Sequence, residues 1–500
     1  MYAEAQQVYY ARLDPLRAVV VPIVGLEVVF TLGLFAGWEF CRRMRFHRVK
    51  VFHVLFLAGC LAPLGIASVA AIQAAPFNLT ALVRSPWFWP AAFLAGVAPL
   101  VWVCRRPVQA SRMARSALLY SWPVLLLVLV QAMRGSLLYP HSAYADGALA
   151  APLHSVPRTR VVWIVFDELS QEIAFNNRPS GMALPNLDGL KQQSFYATAA
   201  ESPADRTQLA MPSLILGEKV RYANPDGPDD LRIGLDARPA PVSWSSLPNV
   251  FDDVRDLGFD TALVGWFHPY SRVLNRSLTK CYWIAGWLPP GIEEASEPQS
   301  LAPAMWERIG MQLVAMPAIG HLPGVFPGKY NRREKISRLR FLDARAREIV
   351  TDPEIGLALI HLPIPHPPAI YDRARGTFRT QIPGSYLDDV VLVDRELGML
   401  RRAMEEAGLW DRTAVLVTAD HGWRTGMWRG SPEWMAEEEA ASHRDTMGVP
   451  FLCKLPGRTA GLVYGKSFNT IATRRLIIGV LKGEITDSAA VAALIESRRW

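Results

Sequence analysis

The sequence predicts an α/β domain with a mainly parallel central sheet, preceded by a four-helix transmembrane region. Three observations carry this. Four apolar runs of about bilayer length crowd the first 135 residues. From residue 159 onward, apolar β-branched runs alternate with helix-like stretches, the pattern of strands joined by crossover helices. Three of those runs end in Asp or His, and open α/β sheets gather their chemistry at the carboxyl ends of the strands.

The 500 residues allow two or three domains, and a hydrophobic content of 50% exceeds that of most soluble enzymes. The net charge of +7 belongs to the front of the chain. Residues 1–157 hold 13 Lys and Arg against 5 Asp and Glu, whereas the remainder holds 40 against 41. A balanced large domain is no nucleic-acid binder. Of the five cysteines (Cys41, Cys60, Cys104, Cys281, Cys453), none makes a CxxC pair, which disfavours a thiolate zinc site. A Cys281–Cys453 disulfide and two unpaired core thiols both stand open.

Residues 1–17 have mixed charge and no basic leader region, so they are not read as a secretory signal peptide. The apolar runs 18–40, 51–75, 87–104 and 117–133 are each near the ~20 residues that a helix needs to cross a bilayer. Glu27 is costly in lipid and is expected to face a neighbouring helix. Trp38, Trp87, Trp89 and Trp102 sit near span ends, as an interfacial belt does. Arg42, Arg43, Arg45, Arg48 and Lys50 follow the first span, and Arg105, Arg106, Arg112 and Arg115 follow the third, while the middle loop has only Arg84. Positive loops stay cytoplasmic, so both termini and everything after the fourth span are expected outside. The expected organisation is a membrane domain over 1–135, a tether over 136–158 and an outer domain over 159–500.

In the outer domain, strands are expected at 161–166, 261–265, 357–361, 414–418 and 449–452. Helices are expected at 184–194, 250–257 and 385–407. Asp167 and Glu168 follow the first strand. His361 and His366 follow the third, and Asp420 and His421, with Gly422 permitting a tight turn, follow the fourth. Carboxylates and imidazoles at one end of several parallel strands converge in one crevice and suit a metal. Glu168 is expected to point away from Asp167, since adjacent strand residues face opposite ways. The acidic run 433–439 is expected to form an exposed flap.

Between the first two strands lies Arg206-Thr207-Gln-Leu-Ala-Met-Pro-Ser-Leu-Ile-Leu-Gly217. Together with His361-x4-His366-Pro, Tyr386…Asp394…Gly398, Asp420-His421-Gly422 and Leu257-Gly-Phe-Asp-Thr-Ala-Leu-Val-Gly265, this stretch resembles the alkaline phosphatase/sulfatase superfamily. The resemblance is to its membrane-anchored branch, which includes phosphoethanolamine transferases and lipoteichoic acid synthases. It runs from about residue 161 to 457. In sulfatases the nucleophile, a Cys converted to formylglycine, stands ten residues before the closing Gly; that place is held here by Thr207, and the transferases use threonine there.

The resemblance implies an alkaline-phosphatase-like sandwich with one divalent metal, Zn or Mn, on Asp167, Thr207, Asp420 and His421, and with Thr207 as nucleophile. A metal is also what a threonine hydroxyl needs to attack at neutral pH. Thr207 equally suits the N-cap of the helix that follows. His366, His443 and His361 are expected on the substrate or on a second metal, although a buried structural role suits His361 about as well. For His268 a structural role is slightly favoured, and Arg206 and Arg424 read as solvated. The chain departs from the family in lacking Cys-x-Pro-Ser-Arg, which argues against a formylglycine sulfatase. It has Gly398 where alkaline phosphatases place a second-metal His, and two outer cysteines where the transferases have several disulfides. The implied activity is a phosphotransferase of the inner membrane acting on the periplasmic side. It would move a phospholipid head group to a lipid or glycan acceptor through a phospho-threonine. The rivals are a sulfatase or phosphodiesterase using water, and a non-catalytic membrane sensor or assembly factor. No protein partner is implied.

Overall fold

The computed structural model describes residues 148–285 and 327–497, apart from short gaps at 228, 237, 239, 381–383, 430–433, 443–446 and 458–459. Tyr9, Ala36, Arg43 and a few positions between 105 and 116 are also described. The chain divides into two compact units. One comprises Met1–Arg12, Ala143–Leu288 and Gly328–Trp500, and the other Leu13–Ser142 and Pro289–Pro327. The four expected membrane spans, Ala36 aside, lie outside the described residues, and so does His443. Among the described residues no helix is long and apolar enough to cross a membrane.

The first unit is built on an eight-stranded sheet. Its strands are β1 (Arg160–Asp167), β2 (Phe195–Ala197), β3 (Asp260–Phe267), β4 (Lys280–Ala285), β5 (Ile355–Pro365), β6 (Thr413–Ala419), β7 (Phe451–Lys454) and β8 (Leu462–Tyr464), in the order β8-β2-β7-β6-β1-β5-β3-β4. The five from β6 to β4 are mutually parallel, and β7 runs against both its neighbours. All of β1, β5 and β6 is buried, as strands covered by helices on both faces must be. The five expected strands therefore exist, the last of them antiparallel. The short strands β2, β4 and β8 carry no alternation of their own to announce them.

Among the described residues the α-helices longer than one turn are α1 (Pro185–Lys191), α2 (Thr207–Leu216), α3 (Val250–Asp256), α4 (Pro327–Val350), α5 (Tyr386–Glu406), α6 (Ala436–Ala441), α7 (Thr473–Leu481) and α8 (Ser488–Glu496). One large apolar core joins Val162, Ile164 and Phe166 of β1 to Leu187 of α1, Leu339 and Leu342 of α4, and Leu387 and Val390 of α5. By the two-residue period of a strand, Val161, Trp163, Val165 and Asp167 point to the opposite face, where α2, α3 and α7 pack. Asp394 of α5 takes hydrogen bonds from Leu187 N and Asn186 Nδ2, both at 2.8 Å, and so holds the start of α1. At Gly398 a Cβ would meet Asn186 Oδ1 at 2.5 Å. The Asp394–Gly398 spacing is thus a helix-packing device.

Cys281 and Cys453 are not joined by a disulfide. They lie on β4 and β7, with β3, β5, β1 and β6 between them. At about 4.8 Å per strand that separation is several times the Cα reach of a disulfide, so the bridged alternative is excluded.

Candidate metal centre

The carboxyl ends of β6, β1 and β3 deliver Asp420, Asp167 and His268 to one crevice, and His361 reaches it from within β5, which continues to Pro365 rather than ending at 361 as expected. Phe166 pairs with Ala419, which sets Asp167 and Asp420 side by side. A register shift between Phe166 and Asp167 opens the β1–β5 edge at that point. On the same side, α2 begins at Thr207 and closes at Gly217, whose φ of 66° is the left-handed conformation that favours glycine. Arg206 occupies the N-cap, and no side chain caps α2. The capping alternative for Thr207 is therefore excluded. Its Oγ1 lies instead 3.5 Å from His421 Nε2.

The geometry leaves the metal-facing atoms bare. Asp420 Oδ1 accepts from Glu168 N at 3.1 Å and His421 N at 2.8 Å, so Oδ2 is left facing the crevice without a partner. His421 Nδ1 is 3.0 Å from Gly422 O. A carbonyl can only accept, so Nδ1 carries the proton and Nε2 offers its lone pair. That Nε2 lies 3.4 Å from Asp167 Oδ1 and 3.5 Å from Asp420 Oδ2. Both oxygens of Asp167, fully buried, have no hydrogen-bond partner, and His361 Nε2 and His268 Nε2 are bare as well. Burial, then the charges of Asp420 and Glu168, push the Asp167 carboxyl well above its ordinary range. Burial also works to raise Asp420, but His421, His361 and Thr207 outweigh it and hold that group low. Unpaired buried carboxylate oxygens cost several kcal/mol, of order 1–3 each or more. A divalent cation removes that cost. Asp167, Asp420 and His421 could hold one, with their ligand atoms within 4.8 Å of one another and Thr207 Oγ1 beside them. A hard-to-borderline ion with two carboxylates and one imidazole fits this donor set.

Glu168 does not point away from the centre as alternation predicts. The chain leaves β1 there with φ 67°, and the Glu168 carboxylate comes within 4.8 Å of the ligand atoms of Asp167 and His366, a second possible metal group. Its oxygens are already engaged, however. Oε1 accepts from Arg424 N at 2.8 Å, Arg424 Nε at 3.1 Å and Trp428 Nε1 at 2.8 Å, and Oε2 accepts from Arg424 Nη2 at 3.1 Å. Arg424 is thereby a half-buried partner of Glu168 rather than a solvated residue; Arg206, paired with Asp205, is exposed as expected. Burial raises Glu168, but His366 and Arg424 more than offset this and keep it ionised.

His366 Nε2 lies 3.8 Å from Glu168 Oε2, and its carbonyl accepts from a buried Lys335. The same Lys335 reaches Pro368 O at 3.0 Å and Asp389 at 3.2 Å, so α4 clamps the loop after β5. His361 Nε2 is 4.0 Å from Asp420 Oδ2, which places it in the centre. Burial lowers His361 and His366 to about 4 and His268 to about 3, so all three are neutral imidazoles. His268 is the residue whose place sequence reasoning undervalued. The Thr207 backbone acts on it, and Tyr9 Oη is 3.0 Å from its Nδ1. Its position just past β3, at the same end as Asp167 and Asp420, was the available signal. In the acidic run, Glu437 and Glu439 do face outward, but Glu438 is 1% exposed and accepts from Tyr386 N at 2.8 Å.

The sulfatase family matches residues 159–472 of the chain. The chain belongs to that family. With it the expected superfamily is shown, and the family's span takes in every residue of the centre. Human iduronate 2-sulfatase is 30% identical over 124 residues, 24% of this chain. The match spans 19% of that relative's length. Among solved structures, this sulfatase-family chain is similar to the lipoteichoic acid synthase LtaP from Listeria monocytogenes, with 12% identity, a TM-score of 0.40, and 66% of this chain and 73% of that one covered. It is also similar to the phosphonate monoester hydrolase of Agrobacterium radiobacter, with 17% identity, a TM-score of 0.41, and coverage of 65% and 74%.

Proposed function

We propose that the chain is a metal-dependent enzyme of the sulfatase and phosphoryl-hydrolase kind. In this reading it works as a phosphotransferase that moves a phospholipid-derived head group to a lipid or glycan acceptor of the cell envelope. The observation that carries the reading is the uncapped Thr207 hydroxyl beside the bare oxygens of Asp167 and Asp420. Asp167, Asp420, His421 and Thr207 would hold the ion, zinc or manganese by its donor set. The chemistry supplied there by a divalent ion is acidification of the threonine hydroxyl and neutralisation of charge on the phosphoryl group.

Thr207 loses its proton and its Oγ bonds to phosphorus, while the ester P–O bond breaks and the alcohol half of the donor leaves with a proton. The acceptor hydroxyl then bonds to the same phosphorus, and Thr207 takes its proton back. The N-terminus of α2 faces the group in transit with its unpaired amides. His361 and His268, both neutral, line the reaction volume and can hold a proton at Nε2. Thr207 carries a β-methyl group, so the aldehyde of a formylglycine cannot arise from it, which favours ester exchange over the sulfatase route.

The proposed location is a bacterial inner membrane, multi-pass, with this unit on the periplasmic side. Even-numbered spans put both ends of the chain on one side, and the buried contact of Tyr9 with His268 supports that arrangement.

Peptide mass spectrometry on Thr207, in protein purified from its own membranes, tests the reading. An added phosphoryl head group on Thr207 is expected. An unmodified Thr207 in protein that turns over soluble phosphate or sulfate esters replaces transfer with hydrolysis. No adduct, no turnover and no bound metal would leave a sensor or assembly factor.

A further inference from the structure

Alternation along β3 places Ala262 and Val264 in the core under α4 and α5, with Trp266 packed against it, and would carry His268 to the same face. The chain turns instead. Phe267 has φ 82°, a left-handed conformation that an aromatic residue keeps only where its surroundings hold it. His268 thereby joins the face of the sheet that carries Asp167, and the Thr207 backbone acts on it there.

A cage of rings fixes the imidazole. Trp244, Phe267, Tyr270 and Tyr9 all stand edge-on to it, with centroids at 5.2, 5.0, 5.8 and 6.0 Å. Tyr270 also reaches His361, with Oη 3.4 Å from Nδ1, so the cage is joined to the metal centre. Three of these walls are neighbours of β3. The fourth, Tyr9, comes from the first residues of the chain, which belong to the same compact unit. Tyr9 is fully buried and held at two points. Arg272 Nη1 donates to its carbonyl at 3.4 Å, and its Oη lies 3.0 Å from His268 Nδ1.

The two nitrogens of His268 therefore differ in their surroundings. Nδ1 meets the phenol, whereas Nε2 is buried without a hydrogen-bond partner. A neutral imidazole has one proton to place. A phenol O–H is a stronger donor than an imidazole N–H, and an imidazole nitrogen is a stronger acceptor than a phenol oxygen. Tyr9 hence donates to Nδ1, and the ring proton sits on Nε2. The Thr207 backbone acts in the same sense, favouring a proton on the ring as a carbonyl does. A group bonded to Thr207 Oγ brings its oxygens to this neighbourhood, and Nε2–H is a donor for one of them.

We propose that Tyr9 is a positioning residue of the metal centre: its hydroxyl fixes the tautomer of His268, so that Nε2–H serves as a hydrogen-bond donor beside Thr207 and the amino-terminal residues complete the site. The link to turnover rests on the reading above. The tautomer does not.

The test uses the full-length, detergent-solubilised protein with isotopically labelled histidine nitrogens. Nitrogen NMR spectra are recorded for the wild type and Tyr9→Phe, with His268→Gln to assign the signals. The wild type is expected to show an unprotonated Nδ1 and a protonated Nε2 at His268, and Tyr9→Phe a shift towards a mixture of tautomers. A protonated Nδ1 in the wild type, or the same His268 signals in Tyr9→Phe, would overturn the proposal whatever the protein turns over.

With Zn or Mn added and a soluble phosphodiester as substrate, Tyr9→Phe is expected to lower kcat about tenfold while KM stays within about twofold. Its melting temperature is expected to change by no more than a few degrees. Added to His268→Gln, Tyr9→Phe is expected to have no further effect, because it acts through that ring. An unchanged kcat in Tyr9→Phe, or losses that add in the double variant, would also overturn the proposal. A wild type without turnover undoes the functional reading alone, since the NMR result still decides the role of Tyr9.

Discussion

Asp167 is where the cost of this site is concentrated: a carboxylate with no exposure, no donor, and two acids for neighbours. Replacing it by Asn removes the repulsion and the ligand together. Asp167→Asn is therefore expected to melt higher than the wild type when both are chelated, yet to lose the stabilisation by added Zn or Mn. At a hundredfold excess over Kd that stabilisation is about 2.7 kcal/mol in the wild type. Calorimetric melts with and without metal, and metal content by mass spectrometry, check both signs; a chelated variant melting below the wild type would mean that Asp167 is not a burden without its ion. Asp167, Asp420 and His421 were legible in the sequence because they stand at the ends of strongly apolar strands, and His361 because it closes the apolar run 357–360, although β5 continues past it to Pro365. The grip of Arg424 on Glu168 was not, since it depends on a positive φ at 168 and a one-turn helix at Thr425–Trp428 that no periodicity marks. Tyr386 and Trp428 were hidden for the same reason: their partners are 218 and 260 residues away.

Helices α4 and α5 carry a carboxyl pair of their own, remote in role from the centre. Glu396 on α5 is 3% exposed, and burial and the nearby Asp343 of α4 push its pKa up to about 8 from 4.5. The folded state thus keeps a proton that the unfolded chain has lost. The stability linked to it is whole below about pH 4.5 and drains away as pH rises through 8, at no more than about 1.4 kcal/mol per pH unit. Glu396→Gln should flatten this slope, and melting temperatures of the two proteins between pH 5 and 9 should diverge in favour of the variant at the alkaline end. Lys335 is the opposite case, a buried cation fully used. Lys335→Met strips Asp389 of its counter-charge and frees the His366 carbonyl, at an expected cost of about 3–5 kcal/mol measured by denaturant unfolding. Helix α4 itself was not foreseen. Its Arg- and Lys-rich stretch reads as polar until Ile336, Leu339, Leu342, Ala346 and Ile349 are seen to share one face on the sheet. The central strands needed no such help, being apolar along their whole length.

At the scale of the whole chain, the front third and the catalytic unit make one testable arrangement. If both ends of the chain share a side, an epitope placed before residue 9 should be reached by an impermeant label on spheroplasts, as should one at the carboxyl end. Labelling of only one end would undo the proposed topology. Tyr9→Phe removes the hydroxyl that meets His268 and should leave the apolar contact standing, with a change in melting temperature of no more than a few degrees. The division between membrane segments, tether and outer domain was read from composition alone, and so was the parity that fixes the sides. What composition could not disclose was where the first residues go. The hydroxyl of Thr207 and the imidazole of His421 stand 214 positions apart along the chain. On the proposed reading, the nucleophile is made long before the acid and imidazole that would activate it, and stays an ordinary alcohol until β6 docks beside β1. That reading gives the protein a safety catch during biosynthesis: reactivity would be conferred by the last third of the polypeptide, and a truncated product would be chemically mute.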